Sequence, residues 1–188
     1  MPPLQRHRSQ GDRGAVLRFV GKSYLIKETI IRYNRILVAK EGRKMTNVVV
    51  SVIGTHRDET GDEQSIELVT TGRYYRKNHC DYFTYSESEL TGMEGTTTLL
   101  KVRQDGVVLV RMGGIDQRQE FRQGEYTVST YITPYGAMEL GVTTNDMTVD
   151  LIAGTGSITI NYDLEIDGKW QSLNKLAIHI REDKMNGH

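Results

Sequence analysis

The sequence predicts an all-β protein: a single closed, antiparallel, up-and-down barrel of about eight to ten strands. Three observations lead there. Apolar and polar residues alternate with a period of two through most of residues 45–188, and no helix of ordinary length is legible after Met45. Turn-forming residues interrupt the alternation about every ten residues.

Taken in order, residues 64–77 alternate through Ile66, Leu68, Thr70, Gly72 and Tyr74, one face of an antiparallel strand. In the run 107–113, Val108 and Val110 mark an apolar face. Arg118, Glu120 and Arg122 alternate with Gln119 and Phe121 as an exposed, salt-bridged face. Residues 157–166 set Ile158, Ile160, Tyr162, Leu164 and Ile166 against Thr159, Asn161, Asp163 and Glu165, a strand with one wet side. Residues 173–180 continue in the same style. Between the runs stand the turn signals: Asp58–Asp62, Thr91–Gly95, Asp105-Gly106, Gly113-Gly114, Gln123-Gly124, Pro134–Gly136, Asn145-Asp146, Gly154–Gly156 and Asp167-Gly168. Asp-Gly and Gly-Gly pairs suit the positive φ of primed hairpin turns. Hairpins in sequence order leave two free sheet edges unless the sheet closes, and the scarcity of proline favours closure.

The formal net charge of zero hides a division at Met45. Residues 1–44 carry 11 Lys+Arg against 3 Asp+Glu and residues 45–188 carry 13 against 21, so a +8 arm cancels a −8 body. Phosphate contact needs clustered Lys and Arg, so an acidic body is a poor nucleic-acid partner. Nucleic acid or membrane therefore enters only through the arm. Residues 1–14 hold too little apolar surface to offset ordering entropy and are expected to be disordered. Residues 15–38 place Leu25, Ile26, Thr29, Ile30, Tyr33 and Leu37 at roughly helical spacing among Arg18, Lys22, Lys27, Arg32 and Arg35, a basic amphipathic pattern. A plainer reading carries more weight. Lys40-Glu41-Gly42 back-translates to AAG-GAG-G, a bacterial ribosome-binding sequence just ahead of Met45, which would make 1–44 upstream DNA read in frame. Both readings of the arm stay open, and the domain expected is 45–188. Cys80 is the only cysteine, which excludes an internal disulfide or a Cys-based zinc cluster. No uncharged apolar segment reads as an export signal, so a cytoplasmic location is expected.

Several stretches resemble a known family. Glu67–Tyr75 (ELVTTGRYY), Tyr82–Glu87 (YFTYSE), Val107–Gly113 (VVLVRMG), Gln119–Phe121 (QEF), Tyr131–Gly136 (YITPYG), Val142–Thr144 and Ile160–Leu164 (INYDL) resemble, in order, the YwiB-like proteins, also called the DUF1934 family. The resemblance spans essentially all of 45–188 and none of 1–44. It implies a calycin-like barrel in a small bacterial cytoplasmic protein. Because members of that family start close to the position of Met45, it also favours the plainer reading of the arm. It implies no reaction, cofactor or site residue. By fold analogy alone, a calycin-like barrel points to a small ligand held inside.

Carrying the apolar parity along the strands puts Tyr74, Tyr82, Tyr126, Thr130, Thr144 and Tyr162 inside with the aliphatics. Tyrosine hydroxyls in an apolar interior need partners, and a ligand is one candidate. The blander reading is that the rings simply fill a small barrel. Arg111 takes the parity opposite Val108 and Val110, which reads as a solvated outer position. Only a bulge would turn it inward, to clamp a carboxylate or phosphate. His56, His79, His179 and His188 are too scattered to suggest a metal site, and Cys80 reads as a small strand residue. Gly113-Gly114 and Gly154-Thr155-Gly156 precede no helix and so cradle no phosphate. No nucleophile elbow is present, and strand-surface charge explains the carboxylate pairs Glu87/Glu89 and Asp163/Glu165. The expectation is a binding module without catalysis or cofactor, holding a small, partly apolar ligand, with Tyr74 and Tyr162 first among its contacts. The alternative is a side-chain-filled barrel that binds a protein partner or a second copy through its acidic outer face or rim.

Overall fold

A computed structural model of the chain describes residues 45–184; the expectations for residues 1–44 and for position 188 lie outside the described residues. Ten strands follow one another: β1 (Thr46–Arg57), β2 (Glu63–Lys77), β3 (Cys80–Ser86), β4 (Thr96–Arg103), β5 (Gly106–Gly113), β6 (Asp116–Phe121), β7 (Tyr126–Thr133), β8 (Gly136–Ile152), β9 (Thr155–Ile166) and β10 (Lys169–Glu182). A short 3-10 turn, Glu89–Thr91, lies between β3 and β4. Each strand pairs antiparallel with the next, and β1 pairs with β10 from Val48↔Glu182 to Arg57↔Leu173, closing the barrel. The expected closed, up-and-down, all-β architecture is the one observed.

The strands read from residues 64–77 and 157–166 are β2 and β9. Two turn assignments need correction. Asn145-Asp146 is not a turn but a bulge inside β8, where the register to β9 shifts between Thr144 and Asp146. An extra residue there flips the strand, so Leu140 and Val142 face inward before it and Met147 and Leu151 after it. A hairpin turn was also missed at Asn78-His79, whose φ values are 51° and 60°. Asn and His tolerate the left-handed region without glycine, so the usual signal was absent.

The barrel is filled unevenly. Turns β2–β3, β4–β5, β6–β7 and β8–β9 gather at one end, and towards it the lumen is filled with apolar side chains. Val48, Val50, Ile158, Ile160, Ile178 and Ile180 are buried on the inner face of β1, β9 and β10. Tyr74 stacks on Phe83 with ring centroids 5.1 Å apart, and its hydroxyl donates to Asp81 Oδ1 at 2.8 Å. The ring lies against Gly154 in the β8–β9 turn, where an added Cβ would overlap it and φ is +86°. Glycine is required there for both reasons. At the other end, Gly54 on β1 has the inward parity of Val50 and Val52, yet a Cβ there would meet nothing within 4 Å. Ile66 opposite it on β2 is half exposed despite its inward parity. This end is hollow.

The β6–β7 seam is thin. Only Asp116↔Ile132 and Gln117↔Tyr131 pair across it. Beyond them side chains replace the ladder: Thr127 Oγ1 donates to the Glu120 carbonyl at 2.8 Å, and Gln119 Nε2 donates to Thr127 Oγ1 at 2.8 Å.

Ile158→Ala, at a wholly buried inner position, should cost about 2–5 kcal/mol in urea unfolding. Burial and then the hydrogen bond to Asp81 push the Tyr74 hydroxyl up to about 12 from an ordinary 10.0. A raised folded-state value means Tyr74 stabilises the fold fully below pH 10 and that this contribution fades as pH climbs towards 12. The urea midpoint should therefore fall over that window, and less steeply in Tyr74→Phe.

Candidate functional site

The hollow end holds a cavity of about 280 Å³. Its apolar wall comes from β8, β9 and β10 through Leu140, Val142, Leu164, Ile166 and Leu176, with Leu109 and Phe121 opposite. Its polar wall comes from β5, β6 and β7 through Arg111, Gln117, Gln119 and Tyr131, and Tyr162 stands on β9. Alternation explains the placement: Leu109 and Arg111 share one face of β5, and Gln117, Gln119 and Phe121 share one face of β6.

Arg111 faces inward, and no bulge is needed to turn it. The β4–β5 and β5–β6 registers run unbroken through Arg111↔Thr98 and Arg111↔Gln117. Val108 and Val110, which set the expected parity, pair with Glu120 and Arg118 on the outer face. That face is charged, as expected: Arg118 and Arg122 both bridge to Glu120, the latter at 3.1 Å. The assignment went wrong because Val107, Val108, Leu109 and Val110 are all buried, so β5 is apolar on both faces and its sequence cannot name the inner one.

The guanidinium of Arg111 donates from Nη1 to Gln117 Oε1 at 2.8 Å, while its buried Nε has no partner. Among the described residues no carboxylate forms an ion pair with it. Gln119 is saturated: Oε1 accepts from Ser129 Oγ at 2.7 Å, and Nε2 donates to Thr127 Oγ1 and to the Glu120 carbonyl. Tyr162 packs its ring against Phe121 at 5.3 Å and makes no direct hydrogen bond to a described residue. Burial pushes its hydroxyl up, and the Arg111 charge draws it part of the way back. Tyr85, on β3, is driven far above its ordinary range by burial and then by Glu87, again with Arg111 pulling against them.

Of the residues expected inside, Tyr162 lines the cavity, and so does Arg111, which was expected on the outer face. Tyr74 points inward but belongs to the packed end, where Asp81 satisfies it. Thr144 is buried beside the β8 bulge, with Oγ1 unpartnered, and does not line the cavity. Three positions need correction, because they face outward. Tyr82 stacks on Tyr75 at 4.7 Å, opposite in parity to the core residue Phe83, with the Lys101 ammonium 5.7 Å from its ring centre. Tyr126 is 53% exposed and lies across Gly141 to donate to Glu165 Oε2 at 3.1 Å. Thr130 shares its parity with Tyr126 and with the exposed Val128. On β7 the more polar face, Thr127, Ser129 and Tyr131, turns inward because Gln117 and Gln119 wait for it there. Apolar parity inverts on such a strand. Gln117, Gln119 and Tyr131 were missed as cavity residues, although Phe121 at the same parity as the two glutamines was the signal that could have found them.

Residues 50–178 match the model of a domain of unknown function, DUF1934. The chain belongs to the DUF1934 family. This DUF1934 protein is 31% identical over 139 residues, 74% of its own chain and 94% of the relative, to the uncharacterized β-barrel protein YwiB of Bacillus subtilis (strain 168). The crystal structure of the ywiB protein from Bacillus subtilis aligns with a TM-score of 0.68 at 29% identity, covering 76% of this chain and 96% of that one. The DUF1934 match includes every residue named on the cavity wall.

Gln119→Ala should cost about 1–3 kcal/mol in urea unfolding, because it removes one of the side-chain bridges across the β6–β7 seam and takes from the buried Ser129 hydroxyl its acceptor. Tyr162→Phe removes a hydroxyl bonded to no described residue, and should shift stability by less than about 1 kcal/mol.

Proposed function

We propose that this protein binds a small, partly apolar ligand in the hollow end of its barrel and performs no chemistry on it. The observation that carries the reading is the uneven filling: one end is packed with aliphatics and the Tyr74–Phe83 stack, while the other leaves about 280 Å³ free. A barrel that needed only to be stable would gain by filling that space, since each buried aliphatic side chain contributes about 1.5–3 kcal/mol. An apolar wall with a few convergent polar groups is the usual make-up of a small-molecule site, although such pockets are mostly somewhat larger, about 300–1,000 Å³. The ligand is accordingly small, on the order of ten water-sized groups at roughly 30 Å³ each.

Native mass spectrometry of the full chain, purified from its own organism, should show an adduct that disappears on denaturation. Leu164→Trp, which fills the cavity from its apolar wall, should abolish the adduct while the protein still unfolds cooperatively. A bare protein mass, or an adduct that survives in Leu164→Trp, would overturn the reading.

A further inference from the structure

We infer that the cavity's ligand is a small monoanion, a carboxylate on a short apolar body, and that Arg111 is the residue that selects its charge; this rests on the reading of the cavity as a ligand site. Arginine remains protonated in proteins, and an ion taken out of water is costly unless it is paired. Arg111 projects from the inner face of β5 into a space whose other walls are uncharged: the neutral Gln117, Gln119 and Tyr131 beside it and the leucines, Val142 and Ile166 opposite. Its one hydrogen bond, to Gln117 Oε1, supplies a dipole but no charge. Glu87, the acid acting on neighbouring Tyr85, does not form an ion pair with Arg111, and its Oε1 accepts from Thr98 Oγ1 at 2.6 Å. Among the described residues, Arg111 is thus the positive charge on the cavity wall, and its Nε has no hydrogen-bond partner.

The remaining wall narrows the class of anion. The cavity lining itself includes no Asp, Glu, Lys or His, and Glu87, the acid that acts on Tyr85, is engaged by Thr98 outside that lining. One guanidinium matches one negative charge; a phosphate dianion would enter with half its charge uncompensated in an apolar cavity. A carboxylate is planar and accepts the guanidinium fork side by side. Gln119, already saturated by Ser129, Thr127 and the Glu120 carbonyl, offers the anion nothing and serves as scaffold. The Tyr162 hydroxyl, bonded to no described residue, is free to donate a second hydrogen bond. Leu140, Val142, Leu164 and Leu176 then receive the apolar part.

Calorimetric titration of the full chain with octanoate, octan-1-ol and octylammonium tests this, because the three share a tail and differ in head group. The expected result is that octanoate binds at least tenfold more tightly than octan-1-ol and that octylammonium binds least. In Arg111→Gln the acid and the alcohol should come within about threefold of each other, the larger loss falling on the acid, while Arg111→Lys keeps part of the preference. Equal binding of acid and alcohol, or a preference for the amine, would overturn the monoanion while leaving a cavity that binds small ligands. A preference for octanoate that persists in Arg111→Gln, or octanoate binding that survives Leu164→Trp, would remove Arg111 or the cavity from the account. No binding of any of the three would overturn both this inference and the reading on which it rests. Should Arg111→Gln fail to fold, the acid-to-alcohol ratio of the unmutated chain still decides the charge question.

Discussion

Everything in this barrel depends on the ladder between its first and last strands. Nine hairpin or loop connections can form from local sequence, but a meander of ten strands has two open edges until β1 and β10 meet. Their register, Val48↔Glu182 through Arg57↔Leu173, satisfies backbone groups that would otherwise pair with another chain. It also locks parity. A slip of one residue at closure would exchange inner and outer faces along the strand, and Val48, Val50, Ile178 and Ile180 admit only one choice. Once these four lie side by side on the lumen face of the paired strands β1 and β10, the inner face of each following strand is determined through its neighbour, as far as β5 and its arginine.

The interior so defined is divided by chemistry as well as by filling. Strands β1, β9 and β10 bring aliphatics to the lumen, whereas β6 and β7 bring Gln117, Gln119, Thr127 and Ser129. The polar group sits where the backbone ladder is thinnest, and the two facts are one. Strands that separate after two paired positions leave amide and carbonyl groups to be satisfied by side chains, and hydroxyls and carboxamides are suited to that. Arg111 lies beside this polar strip, held by Gln117, and it faces Leu164 and Leu176 across the cavity. A charge placed against an apolar wall in a space the protein leaves empty is the arrangement on which the functional reading stands.

Much of the fold was legible from the sequence. β9 shows unbroken alternation because one of its faces is dry and the other wet, and β2 does so nearly as well. The paired glycines and Asp-Gly turns mark hairpins because few residues accept positive φ. Family membership was likewise carried by the order of short runs such as ELVTTGRYY and INYDL. The site was less legible. Tyr162 was found because β9 is unambiguous. Arg111 was placed on the wrong face because β5 is apolar on both, and Tyr126 and Thr130 because β7 turns its more polar face inward. Tyr82 misled for a related reason, since its ring stacks on Tyr75 and is buried without entering the lumen. In each case the rule that apolar means inward failed at a strand whose neighbours, not its own residues, decide what inward requires.

The sequence by itself determined what is local: which segments extend, where most of them turn, the acidic balance of the body and the family to which it belongs. These follow from steric and hydrophobic preferences acting over a few residues. Only the tertiary structure decided which side of β5 and β7 faces the lumen, which end of the barrel is packed and which is hollow, and that Arg111 stands in the hollow end without a carboxylate partner among the described residues. Those outcomes depend on cross-strand neighbours set by the closure of β1 on β10, residues more than a hundred positions apart whose pairing no local pattern encodes.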